Sequence, residues 1–298
     1  MARETISKTV SDGRLLVSDG AWGTLLHQKG LKSGECPEQW NLTQADAVEE
    51  VAKSYIEAGA DMIQSNSFGG SRFKLEHYGL GDQTSDINKA AAEISRRAAG
   101  DDHWVIASIG PTGKMLVTGE VSESQLYDCF KEQAVALAAG GADAICIETM
   151  FDLGEALQAI KAAKENTDCE IVSTFTFELT KKGEFRTMMG VTPELYTKTV
   201  LENGADIIGT NCGNGMERMI AIVEEIRKTA PSHPVLVHAN AGLPKNIDGK
   251  DVFPEKPEDT AAFVADLIKA GANIVGGCCG TTPAHITAIK NAVHQLSK

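Results

Sequence analysis

The chain has 298 residues, and its 41 acidic against 28 basic side chains give a formal net charge of −13. Without clustered Lys and Arg, this charge argues against nucleic acid or an anionic membrane surface as a partner, and favours a small molecule or another protein. No apolar run is long enough to span a bilayer, residues 1–8 lack the apolar core of a signal peptide, and the seven cysteines suit reduced thiols, so we expect a cytoplasmic protein.

Apolar runs that end in polar residues predict eight strands along the chain. They cover residues 15–21, 61–66, 104–110, 144–149, 170–177, 206–212, 234–240 and 273–279. Helical patterns alternate with them at residues 43–58, 84–99, 121–139, 153–165, 192–202, 215–228, 256–269 and 283–295. Several of these helices open with Thr, Ser or Pro, which are common at helix starts.

A short phrase of the type Ala-Gly-Ala-Asp recurs at residues 58–61, 140–143, 203–206 and 270–273. Each copy follows a helical pattern and precedes an apolar strand, and its glycine suits the left-handed residue that closes a helix. Eight strand-helix pairs predict a single α/β domain over residues 1–298, folded as a (β/α)8 TIM barrel. An open, doubly wound sheet is the alternative.

Polar residues stand at the predicted carboxyl ends of the strands, where active sites of such barrels lie. They are Asp19, Asn66, Ser108, Glu148, Asn211, Cys212, Asn240, Cys278 and Cys279. The first and eighth strands of a closed barrel are neighbours, and the sixth lies two strands from the eighth. We therefore expect Cys212 to reach Cys278 and Cys279 across the mouth of the barrel.

Three thiols in this arrangement predict a zinc site, because Zn²⁺ prefers thiolate ligands in a tetrahedral shell. Three protein ligands leave the fourth position for a substrate thiol, which zinc would hold as a thiolate ready to attack an alkyl donor. A structural site completed by His238 or His285 is the alternative, although we expect His238 to be packed and His285 to lie on the surface. A zinc hydrolase would more often use His or carboxylate ligands.

The remaining cysteines are expected only to pack or to lie in loops: Cys36, Cys129, Cys146 and Cys169. Glu148 follows an apolar strand, where a buried carboxylate needs a cationic partner, so we expect it to bind a substrate amine. Glycines at 276–277 and 213–215 precede helices and leave phosphate binding as an alternative. The polar residues 245–254 are predicted to form a mobile cover or a solvated loop.

These motifs together resemble the homocysteine S-methyltransferases, and the similarity to the homocysteine-binding module of cobalamin-dependent methionine synthase is the strongest. The resemblance implies a barrel in which Cys212, Cys278 and Cys279 hold Zn²⁺ and the homocysteine sulfur takes the fourth place. It also implies that Glu148 faces the substrate amino group and that backbone near Ala21 receives the carboxylate. The full predicted substrate-binding set is Asp19, Ala21, Asn66, Ser108, Glu148, Asn211 and Asn240.

The resemblance also suggests the methyl donor. Residues 240–244 (Asn-Ala-Gly-Leu-Pro) are similar to the methionine synthase branch, which implies a methyl-corrinoid donor. We expect a separate protein to carry it, since the chain leaves no room for a cobalamin or folate module after the eighth helix, and residues 184–190 are a candidate surface for that partner. The alternatives are a betaine- or S-methylmethionine-dependent enzyme, or a non-catalytic, zinc-stabilised docking subunit of a corrinoid methyltransferase complex.

Overall fold

The computed structural model describes residues 4–247 and 250–296. Its main sheet has eight strands, which we number in chain order: β1 Leu16–Val17, β2 Met62–Ile63, β3 Trp104–Ile109, β4 Ala144–Met150, β5 Glu170–Phe175, β6 Ile207–Gly215, β7 Val235–Asn240 and β8 Ile274–Gly277. Their spatial order is β1-β8-β7-β6-β5-β4-β3-β2, and each ladder is parallel. Because the first strand pairs with the last, the sheet curls into the predicted TIM barrel, and the open-sheet alternative is wrong.

The barrel is nearly closed between β1 and β2. These two strands are joined by a pair of hydrogen bonds between Asp61 and Val17, here called a clamp, and not by a strand ladder. Asp61 donates its N–H to the Val17 carbonyl at 2.7 Å, and its carboxylate accepts the Val17 N–H at 2.8 Å. Both strands are only two residues long, against seven and six predicted residues. The polar residues that follow them leave the ladder and form part of the site described below.

The same clamp recurs at every copy of the repeated phrase. Its glycines, Gly59, Gly141, Gly204 and Gly271, have φ values of 97°, 97°, 90° and 118°, as the sequence predicts. The side chains of Asp61, Asp143, Asp206 and Asn273 accept the N–H groups of Val17, Val105, Ile171 and Val235 at 2.7–2.9 Å. Each phrase therefore ends a helix and fixes the start of the next strand against its neighbour.

Helices surround the sheet close to their predicted positions. The longer ones are Ala45–Glu57, Thr84–Ala99, Glu123–Ala139, Leu153–Asn166, Pro193–Glu202, Met216–Thr229 and Pro283–Leu296. The predicted helix 256–269 is instead two helices, Pro257–Ala262 and Val264–Ala270. Short helices that the sequence did not predict are Ile6–Ser11, Trp22–Gln28, Trp40–Thr43 and Arg72–Glu76.

The helix Ile6–Ser11 covers the amino-terminal end of the barrel. Its buried Ile6 and Val10 pack with the first inward side chains of the strands, among them Leu16 and Ile274. The Glu170 carboxylate accepts the N–H groups of Ile6 and Ser7 and so fixes the start of the helix. With this end filled, the carboxyl ends of the strands are left to form a cavity.

Two short β-hairpins lie in the loops that follow the carboxyl ends of β5 and β7. One pairs Glu178–Leu179 with Phe185–Arg186 after β5, and the other pairs Lys245–Ile247 with Lys250–Val252 after β7. The second lies where the sequence predicted a cover or a loop, and residues 248–249 of that segment are outside the described residues. Among the helices described, none has the length and apolar character needed to cross a membrane.

Candidate functional site

A cavity of about 390 Å³ opens at the carboxyl ends of the strands. Of the residues predicted from the sequence, those that line it are Ala21, Asn66, Ser108, Glu148, Cys212, Cys278 and Cys279. Asp19, Asn211 and Asn240 do not line it, and each is almost fully buried behind it. The structure therefore brings the predicted residues together in two layers, one facing the cavity and one supporting it.

The three predicted metal ligands form a compact sulfur cluster. The Sγ atoms of Cys212, Cys278 and Cys279 all lie within 4.8 Å of one another, with 4.0 Å between Cys212 and Cys279 and 3.9 Å between Cys278 and Cys279. A tetrahedral zinc with Zn–S bonds of about 2.3 Å requires sulfur atoms about 3.8 Å apart. The donor set and its spacing therefore fit a zinc ion.

The ionisation of the cluster also fits a cation. Hydrogen bonds from Cys278 and Cys279 lower the pKa of the Cys212 thiol, and Gly213 and Asn240 act in the same direction. The same Cys212 group raises the pKa of both Cys278 and Cys279. One thiolate is thus stabilised by its neighbours, but three together repel one another and require a positive ion.

Neither histidine of the structural-zinc alternative belongs to this cluster. His285 is bonded through both ring nitrogens, Nδ1 to the Thr282 hydroxyl at 2.9 Å and Nε2 to the Glu255 carbonyl at 3.0 Å. It is only 6% exposed, so the expectation of a surface histidine is wrong. His238 is packed in the barrel as predicted, and burial lowers its pKa to about 4, which keeps it neutral.

Strained backbone supports the site. Among the described non-glycine residues, only Thr149 and Cys212 have positive φ, at 60° and 58°. Asn211 links them: its Oδ1 accepts the Thr149 N–H at 2.8 Å, its Nδ2 donates to the Thr149 hydroxyl at 2.7 Å, and Cys212 is the next residue. Such strain concentrates at functional sites, and here it accompanies the placement of a thiol at the cavity.

Glu148 is a buried carboxylate without a cationic partner among the described residues. Its Oε1 accepts hydrogen bonds from Ser108 Oγ and from Gln64 Nε2, the latter at 2.8 Å, while Oε2 accepts only the long 3.4 Å contact from Asn211 Nδ2. Burial raises its pKa to about 7 against the opposing effect of these donors. A cation in the cavity would stabilise the charged form.

Asp19 lies beneath this group. Its Oδ2 accepts the Trp22 Nε1–H at 2.7 Å and the Gln64 N–H at 2.7 Å, and burial raises its pKa to about 7. Its Oδ1 also accepts the Ser18 hydroxyl at 3.3 Å, and it has no exposed surface, so Asp19 orients Trp22 and Gln64 at the cavity wall. Its predicted contact with substrate would have to act through these two residues.

Two further predicted residues already have protein partners. Asn66 donates from Nδ2 to the Pro37 carbonyl at 2.8 Å and to Asn41 Oδ1 at 2.9 Å, which joins two loops at the cavity rim. The Ala21 N–H donates to Thr281 Oγ1 at 3.1 Å. Ala21 also precedes the helix Trp22–Gln28, whose start has no side-chain cap, so the open N–H groups near Ala21 belong to the residues that follow it.

The sequence did not point to several residues that line the cavity, among them the polar Gln64 and Glu38. Gln64 bonds to Glu148 and Asp19, and Glu38 is a buried carboxylate whose Oε1 accepts the Gly69 N–H at 2.7 Å. The sequence signal for Gln64 was that it is a polar residue inside a predicted apolar strand. No such signal pointed to Glu38, because it lies between a predicted strand and a predicted helix.

The glycine-rich phosphate alternative loses support, since the Gly277 N–H donates to the Asp19 carbonyl at 2.8 Å.

The comparison with known families agrees with this geometry. Residues 16–293 match the homocysteine S-methyltransferase family. The chain belongs to this family. Its relatives include proteins named methionine synthase from Mycobacterium tuberculosis, 31% identical over 96% of the chain, and from Mycobacterium leprae, 32% identical over 95% of the chain. The chain spans about a quarter of the length of these relatives, 25% in each case.

The fold of this homocysteine S-methyltransferase family member is shared by a solved structure. The metallated form of the homocysteine methyltransferase MmuM from Escherichia coli superposes with a TM-score of 0.78. That comparison covers 95% of this chain and 98% of the other, at 21% identity. At this identity the likeness supports the barrel fold.

Proposed function

We propose that this protein transfers a methyl group to the thiol of homocysteine to give methionine, with Zn²⁺ held by Cys212, Cys278 and Cys279. The observation that carries the proposal is that three clustered thiols and the buried carboxylate of Glu148 line one cavity of about 390 Å³. Homocysteine has a thiol at one end and an ammonium at the other, so it can engage both features at once. Family membership supports the same acceptor.

The chain's own residues would bind and orient the substrate. Glu148 would pair with the ammonium, and backbone N–H groups near Ala21 would receive the carboxylate, as the family resemblance implies. Zn²⁺ in the sulfur cluster would lower the pKa of the substrate thiol, whose proton passes to solvent. The sulfur then bonds to the methyl carbon as the bond from that carbon to the donor breaks, so no protein nucleophile is required.

For the donor, we propose a methyl-corrinoid carried on a separate protein. The resemblance of residues 240–244 to the methionine synthase branch supports this choice, as do the relatives of that name. Exposed apolar side chains on and beside the two hairpins would contact such a partner: Leu179 and Met188 at one, and Leu243 and Val252 at the other. Met188, inside the segment 184–190, is 70% exposed.

A donor screen tests the proposal. Zinc-loaded protein is mixed with homocysteine and, in separate reactions, free methylcobalamin, a methylated corrinoid protein, S-methylmethionine or betaine, and methionine is quantified. We expect product with the cobalt donors alone. Product with S-methylmethionine or betaine alone would overturn the corrinoid assignment, and no product with any donor would favour the non-catalytic docking role.

Chelation separates a catalytic from a structural zinc. If the metal only stabilises the fold, its removal should unfold the barrel. We expect the circular dichroism spectrum to persist after chelation while homocysteine binding is lost, because the cluster lines the cavity and the core of the barrel consists of packed apolar side chains.

A further inference from the structure

Gln64 follows β2 directly and lines the cavity with only 7% of its surface exposed. Its main chain is fixed on both sides, because its N–H donates to Asp19 Oδ2 at 2.7 Å and its carbonyl accepts the Ser95 hydroxyl at 2.8 Å. The barrel therefore fixes the backbone from which this side chain extends, and the hydrogen bond to Glu148 holds the amide at the cavity wall.

The amide of Gln64 has two different ends. The NH2 end donates to Glu148 Oε1 at 2.8 Å. Among the described residues, none donates a hydrogen bond to the other end, Oε1. An amide oxygen at a cavity wall without a donor is an acceptor available to a ligand.

An ammonium group supplies three donors, and Glu148 can meet only part of that demand. Its Oε1 already accepts two hydrogen bonds, from Ser108 and Gln64, while Oε2 has one long contact from Asn211 at 3.4 Å. Oε2 can thus take one short bond from the ammonium. A second acceptor is needed nearby, and the side chain bonded to Glu148 carries one.

We propose that Gln64 is a specificity-determining residue for the amino group of the substrate. Its NH2 group holds the Glu148 carboxylate in place, and its Oε1 accepts a hydrogen bond from the substrate ammonium beside Glu148 Oε2. The inference rests on the proposed function, since it takes an α-amino thiol as the ligand of this cavity. It predicts that the loss of Gln64 weakens the recognition of the amine and leaves the recognition of the thiol intact.

The test compares two thiols that differ only in the amine, homocysteine and 4-mercaptobutanoate. Calorimetry measures their binding to zinc-loaded wild type and to Gln64→Met, which keeps the side-chain length without the amide. A hydrogen bond to a charged group corresponds to a change of about 10- to 100-fold in affinity. We expect homocysteine to lose this much and 4-mercaptobutanoate to change by less than about threefold. Thermal melting checks that the variant is folded, and Gln64→Asn, whose shorter amide cannot reach Glu148, replaces it if it is not.

Ser95→Ala is the matched control, because it removes a hydrogen bond to the Gln64 main chain and leaves the amide. We expect both affinities to stay near those of wild type. An equal loss for the two thiols in Gln64→Met, no loss for homocysteine, or the same selective loss in Ser95→Ala would overturn the inference. Failure of the wild type to bind homocysteine would instead overturn the proposed function, and the inference with it.

Discussion

The two ends of the barrel use acidic side chains in opposite ways. At the amino ends of the strands, the partly buried Asp61 and Asp206 bond to the main chain of the neighbouring strand, and Asp61 also forms an ion pair with Lys290 at 2.7 Å. At the carboxyl ends, Asp19 and Glu148 are fully buried and form no ion pair with a described residue, and burial raises the pKa of each to about 7. One end satisfies its charges within the fold, whereas the other leaves a charge for a ligand to satisfy.

This contrast indicates that the amino ends of the strands serve the stability of the fold and the carboxyl ends serve the site. The clamps at the amino ends repeat four times with the same geometry, which is expected of a feature that builds the fold. The carboxyl ends follow no repeated phrase of this kind and contain the strained Thr149 and Cys212. A group that lowers stability where it stands is retained when it serves binding or catalysis.

The largest effect is expected at the sulfur cluster. Changes to residues that merely hold metal ligands reduce activity or metal affinity by about 10- to 100-fold, so removal of a ligand in Cys212→Ala should reduce both by more than 100-fold. Methionine formation and bound zinc are the measurements. Cys169→Ala, a half-buried cysteine outside the cluster, is the control. Turnover that survives in Cys212→Ala would defeat the zinc assignment.

The second largest effect is expected on the pH dependence of the free energy of unfolding, to which Glu148 and Asp19 contribute. Each folded-state pKa lies near 7, above its usual value near 4, so the stabilising contribution is complete at low pH and is lost as the pH rises through about 7. For the zinc-free protein, we expect Glu148→Gln to remove on the order of 2–3 kcal/mol of the decrease in unfolding free energy between about pH 5 and 8. Urea unfolding at several pH values measures it.

Glu178→Gln provides the control for that experiment, since it makes the same chemical change at an exposed position. If Glu148→Gln has the same pH profile as wild type, then burial of this carboxylate does not raise its pKa, and the assignment of the carboxyl end as the destabilised end fails.

A smaller effect is expected at the opposite end. Asp206→Ala leaves the buried Ile171 N–H without its side-chain acceptor, which should lower the free energy of unfolding by about 1–3 kcal/mol. The urea midpoint should fall while homocysteine affinity per folded molecule stays the same. Asp168→Ala, on an exposed neighbouring site, should change stability by less than about 0.5 kcal/mol. Loss of affinity in Asp206→Ala would mean that the two ends are coupled.

The smallest effect is expected for Lys290→Met. The ion pair with Asp61 is partly exposed, with 35% and 18% of the two side chains accessible, so its removal should cost about 0–1 kcal/mol. Asp61 keeps its main-chain hydrogen bond to Val17 in this variant. Thermal melting at low and high salt measures the change, and a loss as large as that of Asp206→Ala would show that the lysine, and not the clamp, fixes this joint.

Much of the fold could be predicted because its signals are local. The helix 84–99 was predicted with the bounds that the structure shows, and the four glycines of the repeated phrase have the left-handed conformation expected of them. The errors fall where contacts are distant. After β1 and β2 the chain leaves the ladder, where the Asp19 carboxylate accepts the Gln64 N–H. His285 is buried and bonds through Nε2 to the Glu255 carbonyl, 30 positions away.

The sequence alone determined the periodic pattern of eight strands and helices, the joints between them and the residue types at the strand ends, since each of these depends on neighbours within a few positions. The eight-strand pattern also led us to expect that Cys212 reaches Cys278 and Cys279, as the structure shows. Only the tertiary structure decided that Gln64 holds a carboxylate 84 positions away. It also placed Asp19, Asn211 and Asn240 behind the cavity and not in its wall. Closure of the barrel sets these distances, because it brings side chains from separate strands to one rim and buries some of them beneath others.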